Sequence, residues 1–409
     1  MRHRRRRAHP RRAVVSRPRR RQLRGAGLRA LARHYLDHAS TSPPRPEAVH
    51  AMVRWLRSYE LGDPGRVHSE GRAARAVVEV AREQVATFLG TRPRQVVFTS
   101  GGTEAVNAAT FGARRARQGP VVLAAVEHSS VRDASARAGD VVVAAVDGQG
   151  RVLPGSVDEA LTTCAARGAP AALVHCQSAN HEVATVQPVG EVADVARRHG
   201  ALVHVDACAS VGHLPADLDE LGADFVSVSA HKFGGPVGVG ALVVRRGVRV
   251  DPLIVGGDQE RARRAGVENV PAIAGFGAAA EALTGDRLAA EAHDARRRTD
   301  ALAAAAGAVP DVALLGDPVE RLPHIVCLAV GGVEAEVVLL ALDQAGIAAH
   351  SGSACSSESL APSPVLEAMG VDAERSLRLS VGWSTTDDDV AAFAGSFGRV
   401  VSELRALRA

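Results

Sequence analysis

From about residue 70 to residue 250 the chain alternates short valine-rich runs with longer stretches of Ala, Arg and Glu, and this alternation most restricts the possible fold. The apolar runs are Val96 to Thr99, Val121 to Val126, Val141 to Val146, Ala172 to Cys176, Leu202 to Asp206, Phe225 to Ser229 and Gly240 to Val244. Runs that are apolar throughout suit strands buried on both faces, and helices between them supply the crossovers of a parallel sheet. An α/β architecture follows. Past Pro252 the sequence turns Gly-rich, then reads as a long Ala/Arg helix near residues 272 to 306. A strand-helix-strand pattern comes next, with strands near Ile325 to Val330 and Arg378 to Val381. The expected organisation is a tail over 1–34, a large domain over 35–283, whose first segment packs with the small domain, and a smaller α+β domain over 284–409.

The chain has 409 residues, 46% of them hydrophobic and 23% charged, which is ordinary for a soluble globular protein. No apolar run approaches the roughly 18 residues that would cross a membrane. Five cysteines (Cys164, Cys176, Cys208, Cys327 and Cys355) form no C-x-x-C pair and no zinc-like spacing. Free thiols in a reduced, cytoplasmic setting are expected, and no metal site. The first 34 residues hold 14 arginines and no Asp or Glu, so removing their charge from the formal net of +4 leaves about −10 for the rest. This tail reads as a nucleic-acid-binding arm, a transit peptide or an over-long translation start, and its self-repulsion predicts disorder in each case. With an acidic body and no nucleic-acid-reading motif, direct nucleic-acid binding is not expected.

Lys and Arg together number 49, yet only one is lysine, Lys232. A buried lysine can lose its proton and add to a carbonyl carbon as a Schiff base, whereas a guanidinium stays charged. Lys232 lies in Ser-Val-Ser-Ala-His-Lys, just past a strand, at the edge of an open α/β sheet where ligands bind. Asp206 ends the strand Leu-Val-His-Val-Asp, as a helix cap or as the buried partner of a cationic group such as a protonated pyridine nitrogen. Val-Val-Phe-Thr-Ser-Gly-Gly-Thr-Glu (97–104) reads as strand, glycine turn and helix start. Backbone amides around Gly101 and Gly102, with the Thr103 hydroxyl, suit a phosphate there. Ser229 and His231 are placed to reach the same anion. His128, after another strand, suits ring stacking and proton transfer, or capping. Cys355 sits in His-Ser-Gly-Ser-Ala-Cys-Ser-Ser, a small polar run that reads as an exposed loop. Arg378, in Ser-Leu-Arg-Leu-Ser, is either a carboxylate clamp or a surface arginine.

Taken together these residues resemble the class V aminotransferase family, and within it the group I cysteine desulfurases of the iron-sulfur-cluster type. The resemblance runs from Tyr35 to about residue 395 and is most specific at His-Val-Asp-Ala (204–207), Ser-Ala-His-Lys (229–232) and Ser-Gly-Ser-Ala-Cys (351–355). It implies fold type I, with a mainly parallel seven-stranded sheet, pyridoxal 5'-phosphate as cofactor, and a homodimer. Carried over by position, Lys232 bonds the cofactor, Asp206 meets its ring nitrogen and His128 stacks as acid/base. Gly102, Thr103, Ser229 and His231 match the phosphate site, Asn180 and His181 the cofactor wall, Arg378 the substrate-carboxylate clamp and Cys355 the sulfur acceptor. The implied reaction takes sulfur from L-cysteine to a persulfide on Cys355, releases alanine and delivers sulfur to an acceptor protein. A selenocysteine lyase or aminotransferase of the same fold is a rival, and a non-catalytic scaffold a more distant one.

Three positions depart from the family pattern. His181 stands where a second Asn usually precedes Glu182, Ala209 where Gln usually follows the strand-end Asp, and Val267 where a Thr usually reaches the partner subunit's phosphate. The first two positions normally serve the cofactor's phenolic oxygen and the substrate.

Overall fold

The structure is a computed structural model that describes residues 32–58, 61–217, 220–351 and 362–408. Cys355, the expected sulfur acceptor, and nearly all of the arginine-rich tail lie outside the described residues. Arg33–Ala409 packs as one compact unit.

A seven-stranded sheet forms its centre, in the spatial order Val96–Thr99, Gly240–Val244, Phe225–Ser229, Leu202–Asp206, Leu173–His175, Val121–Ala124 and Val141–Ala144. The last five strands pair in parallel. Gly240–Val244 runs antiparallel to both its neighbours. Six of the seven strands are buried along their whole length, which is why they read as unbroken apolar runs. Helices such as Gly102–Ala116 and Val189–Arg198 supply the crossovers and cover the sheet.

A second, antiparallel sheet joins Ser376–Ser380, Ile325–Val330 and Val312–Leu315 in that order. Leu302, Leu328, Leu377, Phe393 and Phe397 close a core of their own around it. The short strand His34–Tyr35 pairs with Ile347–Ala348, and Leu36 is buried in this second core.

The long helix expected over 272 to 306 is two helices, Val270–Glu281 and Arg287–Gly307. Gly285, at φ +65°, makes the left-handed turn between them, a conformation that ends a right-handed helix. Strand ends also differ by a residue or two: the expected 121–126, 141–146 and 172–176 runs pair only over Val121–Ala124, Val141–Ala144 and Leu173–His175, and 378–381 is Ser376–Ser380.

Near the sheet edge Arg82 and Glu260, both buried, form a two-bonded ion pair at 2.6 and 2.7 Å. Glu260 also accepts from the amide of Phe98 at 2.9 Å. This pair holds a left-handed turn at Glu260, Arg261 and Ala262 (φ 48°, 59° and 61°) against the helix Ser69–Phe88. Three such residues in a row are strained and need that support.

Candidate active site

The carboxyl ends of the parallel strands, with the start of the antiparallel one, surround a cavity of about 360 Å³. Strand-end positions bring Gly102, Thr103, His128, His181, Asp206, Ser229, His231 and Lys232 to its wall. This is the ligand edge expected for an open α/β sheet.

At one end, Gly101 and Gly102 open the helix Gly102–Ala116, and the helix start directs backbone amides and a positive dipole at the cavity. A Cβ on Gly102 would lie 2.4 Å from Cys208 Sγ, so only glycine allows this close approach. Thr103, Ser229 and His231 line the same cavity, and Ser229 Cβ lies 3.4 Å from where a Cβ on Gly102 would be. His231 Nδ1 lies 3.1 Å from Thr41 Oγ1, and burial, aided by the charge of Lys232, pulls its pKa down to about 4. A neutral His231 therefore serves an anion as a hydrogen-bond donor rather than as a charge.

Asp206 is buried at the end of its strand, with one oxygen accepting from the Cys208 amide at 3.0 Å. Lys232 Nζ donates to the carbonyls of Ala39 (2.6 Å) and Ser40 (3.1 Å). Burial first, and then the charge of Arg378, lower its pKa; Cys208, Asp206 and Asp37 partly oppose this. A depressed pKa raises the fraction of neutral amine that can add to a carbonyl carbon.

His128 caps the helix Ser129–Ala138: its Nδ1 accepts from the Ser130 amide at 3.1 Å and lies 2.8 Å from Ser130 Oγ. Burial lowers its pKa, with Asp206 opposing. Its ring meets His181 edge to face, with centroids 4.9 Å apart.

Two expected site residues stand behind the wall. Asn180 is fully buried, accepting from the amides of Glu182 and Val183 (both 2.8 Å) and donating to Val126 at 3.2 Å, so it shapes the turn that carries His181. Arg378, also buried, donates to the His181 carbonyl (2.9 Å), Ser40 Oγ (2.8 Å) and Asp37 Oδ1 (3.1 Å). Its Nε is buried without a partner among the described residues.

Several residues were not anticipated from sequence. Cys208 and Gln177 line the cavity, and burial, reinforced by Asp206, pushes the Cys208 thiol well above the usual range. Glu127 is buried beside them, accepting from the Gln177 amide at 2.7 Å; burial and then the Asp206 charge push its pKa up to about 8. Adjacency to His128 and Asp206 was the signal for Glu127 and Cys208, while nothing local marks Gln177.

This set of groups fits pyridoxal phosphate. The cavity wall offers helix-start amides, two hydroxyls and a neutral imidazole suited to a phosphate, a buried carboxylate suited to a ring nitrogen, and a buried amine suited to an aldehyde carbon. Fold and site together define a pyridoxal-phosphate-dependent enzyme of the α/β transferase type.

The family described as Aminotransferase class-V matches residues 34–393, and the chain belongs to it. It is 39% identical over 383 residues to cysteine desulfurase IscS 1 of Archaeoglobus fulgidus, covering 91% of this chain and 98% of that one. With a cysteine desulfurase of Cereibacter sphaeroides it shares 40% over 389 residues, 92% and 98% of the two chains. Among solved structures, a NifS-like protein of Rickettsia africae ESF-5 superposes with a TM-score of 0.82 at 30% identity, covering 90% and 99%. SspA in complex with cysteine gives 0.73 at 27%, covering 85% and 98%.

Proposed function

We propose that this enzyme is a cysteine desulfurase, converting L-cysteine to L-alanine and leaving the sulfur as a persulfide on Cys355. The observation that carries the reading is the placement of the chain's single lysine, buried with a lowered pKa, in one cavity with Asp206 and the helix-start anion site. The cysteine desulfurase relatives match along nearly the whole chain and support the substrate.

Pyridoxal phosphate, when bound, supplies an electron sink that weakens bonds at the substrate's α-carbon and β-carbon. The amides of Gly102 and Thr103, with the Thr103 and Ser229 hydroxyls and His231, would hold its phosphate. Asp206 would keep a ring nitrogen protonated, and His128 would offer its ring for packing and proton transfer. Lys232 would hold the cofactor through its amine and, when that amine is free, would accept the proton lost from the substrate's α-carbon. Arg378, already anchored through Asp37 and Ser40, orients the substrate carboxylate through the neighbouring turn or through its unpaired Nε. The Cys355 thiolate then attacks the substrate sulfur: the carbon-sulfur bond breaks, a sulfur-sulfur bond forms, and alanine leaves after reprotonation. No external oxidant or reductant is needed.

The finer reading has the enzyme acting as a cytoplasmic homodimer that passes sulfur to an acceptor protein, for instance in iron-sulfur cluster assembly. Exposed Val237, Val255 and Val267 fit a dimer contact. Among the described residues no helix is long and apolar enough to cross a membrane. A division near residue 283 is supported by two separate cores, although Cys327, Val365, Leu366 and Met369 join the larger one.

Lys232→Arg tests the assignment. The variant keeps the charge but loses the nucleophilic amine, so alanine formation from L-cysteine should fall at least a thousandfold while the circular dichroism spectrum stays unchanged. Turnover within tenfold of wild type in a folded variant would remove Lys232 from the mechanism.

A further inference from the structure

The helix start that faces the cavity carries a carboxylate of its own. In the helix Gly102–Ala116 the first bond along the axis runs from the Ala105 amide to the Gly101 carbonyl at 3.2 Å, so the amides of Gly102, Thr103 and Glu104 have no partner within the helix. Glu104 lines the same cavity, and its side chain is only 11% exposed. One of its oxygens accepts from the Ser100 amide at 2.8 Å. Burial opposes its ionisation, but the bonds from Arg264 and Ser100 outweigh burial and hold its pKa below the ordinary 4.5. Glu104 is therefore an anion at neutral pH, at the helix end where another anion is to be bound.

Arg264 answers this charge. Its Nε donates to Glu104 Oε1 at 2.9 Å and its Nη2 to Oε2 at 3.2 Å, a two-bonded geometry in which a guanidinium fixes the plane of a carboxylate. Arg264 comes from the segment that follows the strained turn at Glu260, Arg261 and Ala262. Backbone bonds hold that segment on either side of it: the Arg263 amide donates to the Glu260 carbonyl at 3.2 Å, the Ala265 amide to the Ile254 carbonyl at 3.1 Å, and the Gly266 amide to Gln259 Oε1 at 3.1 Å. By supporting the turn, the buried Arg82–Glu260 pair fixes where the Arg264 side chain emerges.

We infer that Arg264 is a positioning residue for the cofactor's phosphate: it neutralises Glu104 and keeps the carboxylate on the Ser100 amide, so that the amides of Gly102 and Thr103 stay open to an incoming anion. Without the guanidinium, the Glu104 charge would oppose a phosphate at the helix start and compete with it for the same donors. Val267 adds to the demand on these amides, because valine offers no hydroxyl. The inference rests on the pyridoxal-phosphate reading of the cavity and names what keeps its anion site usable.

A cycle of single and double variants of the full chain tests it, by calorimetric titration with pyridoxal phosphate and, separately, with pyridoxal, which has the ring and aldehyde but no phosphate. Arg264→Met should weaken pyridoxal-phosphate binding about thirtyfold and leave pyridoxal binding nearly unchanged. Glu104→Gln keeps an acceptor for the Ser100 amide without the charge, and should bind pyridoxal phosphate within about threefold of wild type. The two changes combined should restore affinity to within about threefold of wild type, since no charge is left to neutralise. A pair that served only as a brace would behave differently: each change would weaken both ligands, and the double variant would bind no better than Arg264→Met. That pattern, or wild-type affinity for pyridoxal phosphate in Arg264→Met, would overturn the inference. If Arg264→Met alone does not fold, the double variant decides, with affinity near wild type in favour and a loss of about thirtyfold against. Absence of pyridoxal-phosphate binding in the wild-type chain would instead sink the cofactor reading, and the inference with it.

Discussion

Gly102 shows how closely single residues are fitted around the anion end of the cavity. Its missing side chain leaves room for Cys208 Sγ, and a Cβ there would also come within 3.4 Å of Ser229 Cβ. Gly102→Ala should push the helix start away from the cavity and weaken pyridoxal-phosphate binding at least tenfold, measured by equilibrium dialysis. Adding Cys208→Ala should restore most of the affinity; wild-type affinity in the single variant would show that the close approach is not needed. At this scale much of the site was legible. Lys232 stood out as the chain's only lysine, and Asp206, Thr103, Ser229, His231 and His128 could be placed because strand ends converge on one edge, whereas His181 was placed by the family resemblance alone. What the sequence did not show was orientation. The contacts that hold Arg378 behind the wall and the burial that raises the Glu127 pKa depend on packing between segments far apart in the chain.

Elements were legible where burial and pairing coincide. Val96–Thr99, Leu202–Asp206, Phe225–Ser229, Gly240–Val244 and Ile325–Val330 match the apolar runs residue for residue. The run from Val121 outlasts its strand because Val126 stays fully buried after sheet pairing stops at Ala124. Apolarity reports removal from water, not the ladder bond. Strand direction is not encoded in composition at all, so the antiparallel course of Gly240–Val244 was not visible. The break between Val270–Glu281 and Arg287–Gly307 was hidden by alanine-rich sequence on both sides, which favours helix strongly enough to mask a single glycine. The Arg82–Glu260 pair, 178 residues apart in sequence, has no local signature either.

For the molecule as a whole, buried histidines set the response to acid. His175 and His204 face each other through their Nδ1 atoms at 2.7 Å inside the sheet, and His204 Nε2 lies 2.7 Å from Ser227 Oγ. Burial pulls His204, His38 and His213 each down to about 4, and His175 and His324 well below the ordinary value. A histidine whose folded pKa lies below its unfolded value of 6.5 contributes stability above that pH and loses it as pH falls toward 4. Glu127 acts in the opposite sense: with its folded pKa raised to about 8, it costs stability as pH rises from its ordinary 4.5 through 8. The histidines outnumber it, so the melting temperature should drop steeply between about pH 6.5 and 4 and decline only gently above pH 7. A melting temperature flat from pH 7 to pH 4.5 would contradict the buried, neutral state of these rings.

The proposed reaction takes sulfur from L-cysteine in the cavity around Lys232 and leaves it on Cys355. Its most direct test is mass spectrometry of peptides from the cofactor-loaded protein after a single exposure to L-cysteine, without reductant. A mass gain of one sulfur atom is expected on the peptide containing Cys355, equal in amount to the alanine released and absent from Lys232→Arg. Sulfur found instead on Cys164, Cys176, Cys208 or Cys327, or alanine released with no added sulfur on Cys355, would contradict it.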